Sequence, residues 1–382
     1  MDESKSVTAN PASIEPRLSG QVTSGLRVLN YLPAICMVGL FVSGVGVVGH
    51  FFASEEAGEH WQQPRTVDYV VKGHEALAIE EIFKDVFPIK DFSTGLLNAI
   101  SLAVFDETRK GLVKGNDGWF FSDEEFSWNR KSAAMVEKHF GFVQDAIADL
   151  EAAGVEPIIL LIPEKADIYR DKLGSIRPPA SRATFYDEIR TRLTALGVQV
   201  PDLRTTFLEA RKGTDVFLKA DTHWTVAGAG VGAREVASSL AADTSLAREP
   251  YTLSAEPEVP HSGDLLKFAN LSIFSGLVAL PQETITPVSA KKAEADLDDL
   301  LADGQAGPQL AVVGSSYSAN ATWSFEAQLK AATGVEVINF AEEGKGPFKP
   351  METFLTEKLP GMQGLKYVVW EMPLRYFDEV KY

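Results

Sequence analysis

The sequence predicts an α/β protein: a parallel sheet with helices on both faces, preceded by one N-terminal transmembrane helix. Three observations carry that expectation. From about residue 113 onward, apolar strand-like runs alternate with segments of helical periodicity, the pattern of a sheet covered on both sides. The run over 155–162 ends in unbroken Ile and Leu, as in a strand buried on both faces. Residues 28–52 contain no Asp, Glu, Lys or Arg, and as a helix they extend roughly 37 Å, enough for a hydrocarbon core of about 30 Å.

Taken in order, 1–27 is polar, rich in Ser, Thr, Asn and Pro, and reads as a cytoplasmic tail. The apolar stretch 28–52 reads as an uncleaved signal anchor, because no small-x-small cleavage site follows it and the charged region before it is long. Lys5, Arg17 and Arg27 precede it, whereas Glu55, Glu56 and Glu59 follow, which places the N-terminus inside. The bulk of the chain then faces the periplasm of a bacterial cell, held at the inner membrane. Segment 53–112 is expected to be membrane-proximal with helical pieces at 80–87 and 92–109. The main domain, 113–382, opens on a turn and an aromatic strand ending at Phe121.

Within that domain Val136, Phe140, Val143, Ile147 and Leu150 mark a helix over 131–153 that stops at Gly154. Phe185, Ile189, Leu193 and Leu196 mark another, ended by Gly197. Short strands are expected at 198–201, 310–313, 335–339 and 367–370, with helices at 226–240 and 321–332. Gly228 and Gly230 are unfavourable inside a helix, which points to close packing of 226–240 against the sheet. Residues 238–308 form a long, less regular insertion.

Composition narrows the function. Hydrophobic residues make up 45% of the chain and charged residues 23%, which suits a globular protein with a substantial core. The formal net charge of −17 argues against nucleic acid as a partner, since phosphate binding needs clustered cations, but it leaves carbohydrate open. Cys36 is the single cysteine, so no intrachain disulfide forms. His50, His60, His74, His139 and His261 show no paired spacing, and no HExxH, phosphate-binding loop or dinucleotide fingerprint occurs. Neither a metal nor an organic cofactor is expected.

Two short strings carry the chemistry. Asp221-Thr222-His223-Trp224 and, some ninety residues later, Gly314-Ser315-Ser316-Tyr317-Ser318 supply a carboxylate, an imidazole and a hydroxyl, the parts that make serine a nucleophile. Asp221 and His223 leave the same face of an extended segment. Ser316 follows a strand at a glycine turn, beside backbone N–H groups suited to an oxyanion. The alternatives are a serine-rich helix cap at 315–318 and a surface turn at 221–224 leading into a helix capped by Thr225. Trp224 is either a core anchor or a wall of the site.

These strings resemble those of the AlgJ/AlgX group of alginate O-acetyltransferases, which have SGNH-hydrolase-like domains. The likeness runs over roughly 80–382 and includes Lys114–Phe121, Pro163 to Tyr169, Gly263-Asp264-Leu265, Glu343 to Pro347 and Trp370 to Arg375. Aspartate and histidine precede the serine, so the order of motifs is permuted relative to common SGNH hydrolases. The anchor makes the chain look more like the J type.

The resemblance implies Ser316 as nucleophile, His223 as general base and then acid, and Asp221 as its orienting carboxylate. It offers the Ser316 N–H, Asn339, Gly344 and Gly346 as oxyanion donors. Lys165, Tyr317 and Arg375 become candidates for lining a polymer groove, with structural roles open for Lys165 and Arg375. The implied activity is transfer of acetyl to an exopolysaccharide, with a multi-spanning membrane acyltransferase as donor partner. A polysaccharide acetylesterase with the same triad and a non-catalytic assembly subunit are the alternatives.

Overall fold

The computed structural model describes residues 90–105, 107–108, 111–274, 276, 278–292 and 307–379, with shorter stretches between 31 and 80. The chain divides into Met1–Ser93 and Thr94–Tyr382, and the fold below belongs to the second unit. The expected tail 1–27 lies outside the described residues, as do nine positions of the expected span 28–52 and nearly all of 80–87. Among the described residues no helix is long and apolar enough to cross a membrane.

Helical structure running to Ile100 and a π-helical turn at Ser101–Phe105 come first; an antiparallel pair follows, in which β1 (Leu112–Lys114) and β2 (Phe120–Ser122) turn back on each other through Asp117 and Gly118, both at positive φ. Then come α1 (Ser132–Ala152), β3 (Glu156–Ile162), α2 (Phe185–Thr194), α3 (Leu203–Ala210) and α4 (Val226–Ser239). The insertion adds β4 (Tyr251–Ala255), β5 (Val259–His261), the short helix α5 (Asp264–Phe268), β6 (Glu283–Ile285) and β7 (Val288–Lys292). Last are β8 (Leu310–Val313), α6 (Ser316–Ala319), α7 (Phe325–Thr333), β9 (Val337–Asn339), α8 (Phe348–Thr353) and β10 (Tyr367–Pro373).

Four of these strands form one parallel sheet in the order β3-β10-β8-β9. Tyr367 of β10 sits opposite both Glu156 and Leu310, and Leu310 in turn opposite Val337, so the strand starts are aligned. Alternation divides the side chains between two cores. Ile158, Leu160, Val312 and Val369 enter the first with Leu203 and Phe207 of α3, Val231 and Val236 of α4, and Phe325 and Leu329 of α7. Ile159, Leu161, Val313, Val368 and Trp370 enter the second with Val143, Ile147 and Leu150 of α1, Ile189 and Leu193 of α2, and Met351 of α8. Each such side chain contributes about 1.5–3 kcal/mol by leaving water. With both faces buried, the polar groups gather where the strands end, at the carboxyl edge.

Four expectations change. The strand at 198–201 reduces to a single parallel bridge between Ile158 and Gln199; Pro201 has no N–H to continue the ladder. Residues 321–332 are two elements, a 3-10 turn at Ala321–Trp323 and then α7, separated by Ser324 at φ 60. The insertion is more regular than its sequence implies, since it holds two antiparallel ribbons, β4 with β7 and β5 with β6. The glycines of α4 also meet partners other than those expected. A Cβ at Gly228 would stand 2.2 Å from the Val216 carbonyl oxygen, and one at Gly230 would stand 3.0 Å from Gln328 of α7. It is Gly232 that faces the sheet, through Leu160.

The Val216 oxygen is backbone and cannot swing aside, so Gly228→Ala should cost about 1–3 kcal/mol. Urea unfolding reads this as a lower midpoint at unchanged slope; an unchanged midpoint would show that the two backbones do not approach so closely.

Candidate active site

The segment from Val216 to Trp224 has almost no regular structure, only one antiparallel bridge between Phe217 and Trp224. Its backbone groups must therefore find other partners. Phe120 of β2 donates its N–H to the Lys219 carbonyl at 2.8 Å. The Glu283 carboxylate of β6 accepts from Lys219 N (2.8 Å) and Ala220 N (3.0 Å). Asp264 accepts from Thr222 N at 2.8 Å, and the Tyr317 hydroxyl donates to the Thr222 carbonyl. Lys165, 2% exposed, donates through Nζ to the carbonyls of Phe120 (2.6 Å), Lys219 (2.9 Å) and Asp221 (2.9 Å). Burial pushes its ammonium down to about 8.

On this braced segment Asp221 and His223 meet Ser316. His223 Nδ1 lies 2.6 Å from Asp221 Oδ1, and His223 Nε2 lies 2.7 Å from Ser316 Oγ. A carboxylate only accepts, so Nδ1 carries the proton; Nε2 of the neutral ring is then the acceptor and the Ser316 hydroxyl donates to it. Burial alone would raise the Asp221 carboxyl, but hydrogen bonds from His223 and His261 outweigh it and hold the group well below the usual carboxylate range. Asp264 behaves oppositely: burial and the neighbouring Asp221 charge raise it.

The turn that carries Ser316 follows β8. Ser315 caps α6, and its side chain accepts from Tyr317 N. Ser315 O accepts from Ser318 N (3.1 Å) and Ala319 N (3.0 Å), while Ser315 N donates to Glu371 at 2.8 Å. Among the described residues no acceptor takes the Ser316 N–H, which leaves it for an incoming oxygen. The helix cap Ser315 and the relay member Ser316 are thus neighbours.

The other sequence candidates fall elsewhere. Trp224 is fully buried and donates Nε1 to the Tyr317 carbonyl at 3.1 Å, so it is a core anchor. Asn339 donates to Ser318 O (2.8 Å) and accepts from Ala341 N (3.0 Å), which clamps the exit of β9 to α6. Gly344 and Gly346 occupy left-handed turns at φ 72 and 62. Lys165, Tyr317 and Arg375 share a crevice of about 10 Å³ with Glu125 and Thr222, room for a water and not for a sugar ring. Lys165 is consumed by carbonyls, Tyr317 is 3% exposed, and Arg375 lies over the Tyr317 and Tyr376 rings.

The sequence passed over several residues of the site. His261 was set aside for want of a paired histidine, yet its Nε2 lies 2.7 Å from Asp221 Oδ2. Asp264 entered only as part of a motif, and its N–H donates to the same oxygen at 2.9 Å. Trp323 stacks on His223 with centroids 4.9 Å apart. Asp221, His223 and Asp264 place ligand atoms within 4.8 Å of one another, a set able to take a cation. Those atoms already serve one another, however: His223 shares its proton with Asp221, and Asp264 takes both Thr222 donors, Oγ1 at 2.5 Å. A metal there would displace the relay.

A parallel α/β sheet with serine, histidine and aspartate joined at its carboxyl edge is the arrangement of SGNH hydrolase-like proteins. Residues 112–374 match the family described as SGNH hydrolase-like domain, acetyltransferase AlgX, and the chain belongs to that family. It is similar to the probable alginate O-acetylase AlgJ of Pseudomonas fluorescens, 35% identical over 311 residues that span 80% of this chain and 78% of that protein. AlgJ of Pseudomonas aeruginosa is 35% identical over 318 residues, 80% of this chain and 81% of its own. Among solved structures, the O-acetyltransferase domain of Pseudomonas putida AlgJ aligns with a TM-score of 0.63 at 29% identity, over 71% of this chain and 93% of that one. Pseudomonas aeruginosa AlgX shares the fold, with a TM-score of 0.53 at 21% identity over 69% of this chain and 62% of its own.

Beneath the Gly314–Ser316 turn lies Glu371, a carboxyl on β10 between Trp370 and Met372 and fully buried. It takes the Ser315 N–H at 2.8 Å and the Ser315 hydroxyl at 3.0 Å. A Cβ at position 314 would stand 2.6 Å from its Oε2, which is why the turn holds Gly314. Burial pushes this carboxyl from its ordinary 4.5 up to about 7, against the pull of the Ser315 donors. A raised acid favours its neutral form in the fold, so its contribution to stability is complete below about 4.5 and is lost as pH rises through about 7. Unfolding free energy should therefore fall over that window with a slope approaching about 1.4 kcal/mol per pH unit. Glu371→Gln should flatten the slope in urea titrations at stepped pH; equal slopes in parent and variant would show that Glu371 does not titrate there.

Proposed function

We propose that this protein is an O-acetyltransferase that moves an acetyl group through an acetyl-Ser316 ester onto hydroxyls of an exopolysaccharide, alginate or a related polymer. The observation that carries the reading is the unbroken relay from Asp221 through His223 to Ser316 Oγ. The names of the AlgJ relatives support the acetyl group and the polymer.

In the first half-reaction Ser316 Oγ attacks the acetyl carbonyl of the donor while His223 Nε2 takes its proton. The carbonyl oxygen becomes an oxyanion facing the Ser316 N–H, and the imidazolium rests against Asp221. Collapse expels the donor's leaving group, which takes the proton back from His223. In the second half a sugar hydroxyl replaces the leaving group: it gives its proton to His223, attacks the acetyl-serine, and departs as the acetate ester when Ser316 regains a proton. Transfer prevails over hydrolysis when the polymer holds its hydroxyl where water would stand.

The same reading places the chain in the bacterial inner membrane. Residues 28–52 would be a single-pass anchor, 53–112 a membrane-proximal segment and 113–382 the periplasmic catalytic domain. A multi-spanning acyltransferase would supply acetyl from the other side. The absence of charge in 28–52 supports this placement.

Ser316→Ala should leave the fold intact and lower acetyl transfer on the order of 10⁴-fold or more. The check is the O-acetyl content of the polymer made by a strain carrying the variant, with the acetylated serine sought by mass spectrometry in the parent. Unchanged acetylation sinks the assignment. Net release of acetate from acetylated polymer, with none passed to an acceptor, would instead make the protein an esterase.

A further inference from the structure

We infer that His261 is a positioning residue of this site: it donates to the second oxygen of Asp221, so that one carboxylate is held between two imidazoles. The inference rests on the acyl-serine reading above and extends the relay from three side chains to four.

The Asp221 carboxylate receives four donors, two on each oxygen. Oδ1 takes His223 Nδ1 (2.6 Å) and His223 N (2.9 Å); Oδ2 takes His261 Nε2 (2.7 Å) and Asp264 N (2.9 Å). Since the carboxylate only accepts, His261 carries its proton on Nε2. Two of the four donors are backbone groups that hold the carboxylate in place. The other two are rings on opposite oxygens, and together they fix its rotation about χ2. Losing the His261 donor leaves Oδ2 with the Asp264 N–H as its one partner in a side chain only 2% exposed, so the plane that aims Oδ1 at His223 is held less firmly.

The fold brings this ring to the site deliberately. His261 closes β5, which pairs with β6 so that His261 sits opposite Glu283. Glu283 in turn grips the N–H groups of Lys219 and Ala220, the residues just before Asp221. Gly263 allows the chain to pass the Ala220 carbonyl, where a Cβ would stand 1.8 Å from the oxygen. Trp323 then spaces the two rings: it stacks on His223 at 4.9 Å and 19°, and meets His261 edge-on at 5.3 Å and 85°. The turn carrying Trp323 is fastened to the other ribbon, since Val288 N donates to Ser324 Oγ at 2.8 Å. Around His261 the charged and titratable groups are Asp221, His223, Asp264 and Glu283, with Lys165 on the far side of Asp221.

The test uses the purified full-length chain with 4-nitrophenyl acetate as the acyl donor, comparing parent, Ser316→Ala, His261→Ala and His261→Gln. Glutamine can place an amide N–H near the position of Nε2; alanine cannot. His261→Ala should lower kcat roughly 10- to 100-fold, the range for losing one hydrogen bond to a charged group, with KM nearly unchanged. It should also move the acidic limb of the kcat/KM profile to higher pH, because an Asp221 released from one donor binds the catalytic imidazolium more strongly. His261→Gln should recover most of kcat and return the limb toward the parent's. Parent-like kcat with an unmoved limb in His261→Ala overturns the inference, as does an equal loss in both variants with the limb unmoved. A rate that survives Ser316→Ala removes the acyl-serine reading itself, and this inference with it.

Discussion

Everything at this site depends on buried charges standing in for a missing backbone ladder. Residues 216–224 cross the carboxyl edge of the sheet without joining it, and their peptide groups would be orphaned in a region closed to water. One ammonium, Lys165, takes two of the carbonyls together with that of Phe120 on β2, and two carboxylates, Glu283 and Asp264, take three of the N–H groups. A buried ion carries a solvation cost of several kcal/mol and repays it only when its hydrogen-bonding capacity is filled. Here the ammonium has three partners for its three protons. The result is a rigid irregular segment, and irregularity is what lets Asp221 and His223 project toward Ser316.

That arrangement explains which parts of the molecule were legible beforehand. The strands at 155–162, 310–313 and 367–370 are read easily because burial on both faces writes itself as consecutive apolar residues. Ser316, His223 and Asp221 are legible because nucleophile activation needs those three residue types, and two of them are adjacent but one in sequence. Lys165 stays open between groove and scaffold in the sequence, because its burial follows from carbonyls on β2 and at 219 and 221 that no local pattern announces. His261 was invisible for a related reason. Its partner is forty residues away, and the ribbon that presents it has only three paired residues on each strand. Glu371 left the clearest unused signal, a lone acid inside the apolar run Tyr367–Pro373.

Chain order and spatial order are decoupled. His223 precedes Ser316 by ninety-three positions, and the intervening insertion contributes His261, Asp264 and Glu283 to the neighbourhood of Asp221. The sheet contributes the opposite wall, with Ser316 after β8 and Glu371 on β10. Each half is supported by its own acid, Asp264 under Thr222 and Glu371 under Ser315, and the imidazole of His223 spans the gap between them.

The slender β5–β6 ribbon gives this design an unequal resistance to heat. Its strand residue Val259 is 46% exposed, whereas the sheet strands lie within two cores, and weakly buried elements open locally at a small fraction of the free energy that unfolds a whole domain. Warming would therefore detach the second imidazole while helices and sheet remain assembled. Function would fade at temperatures where a spectroscopic melting curve still reports a native protein.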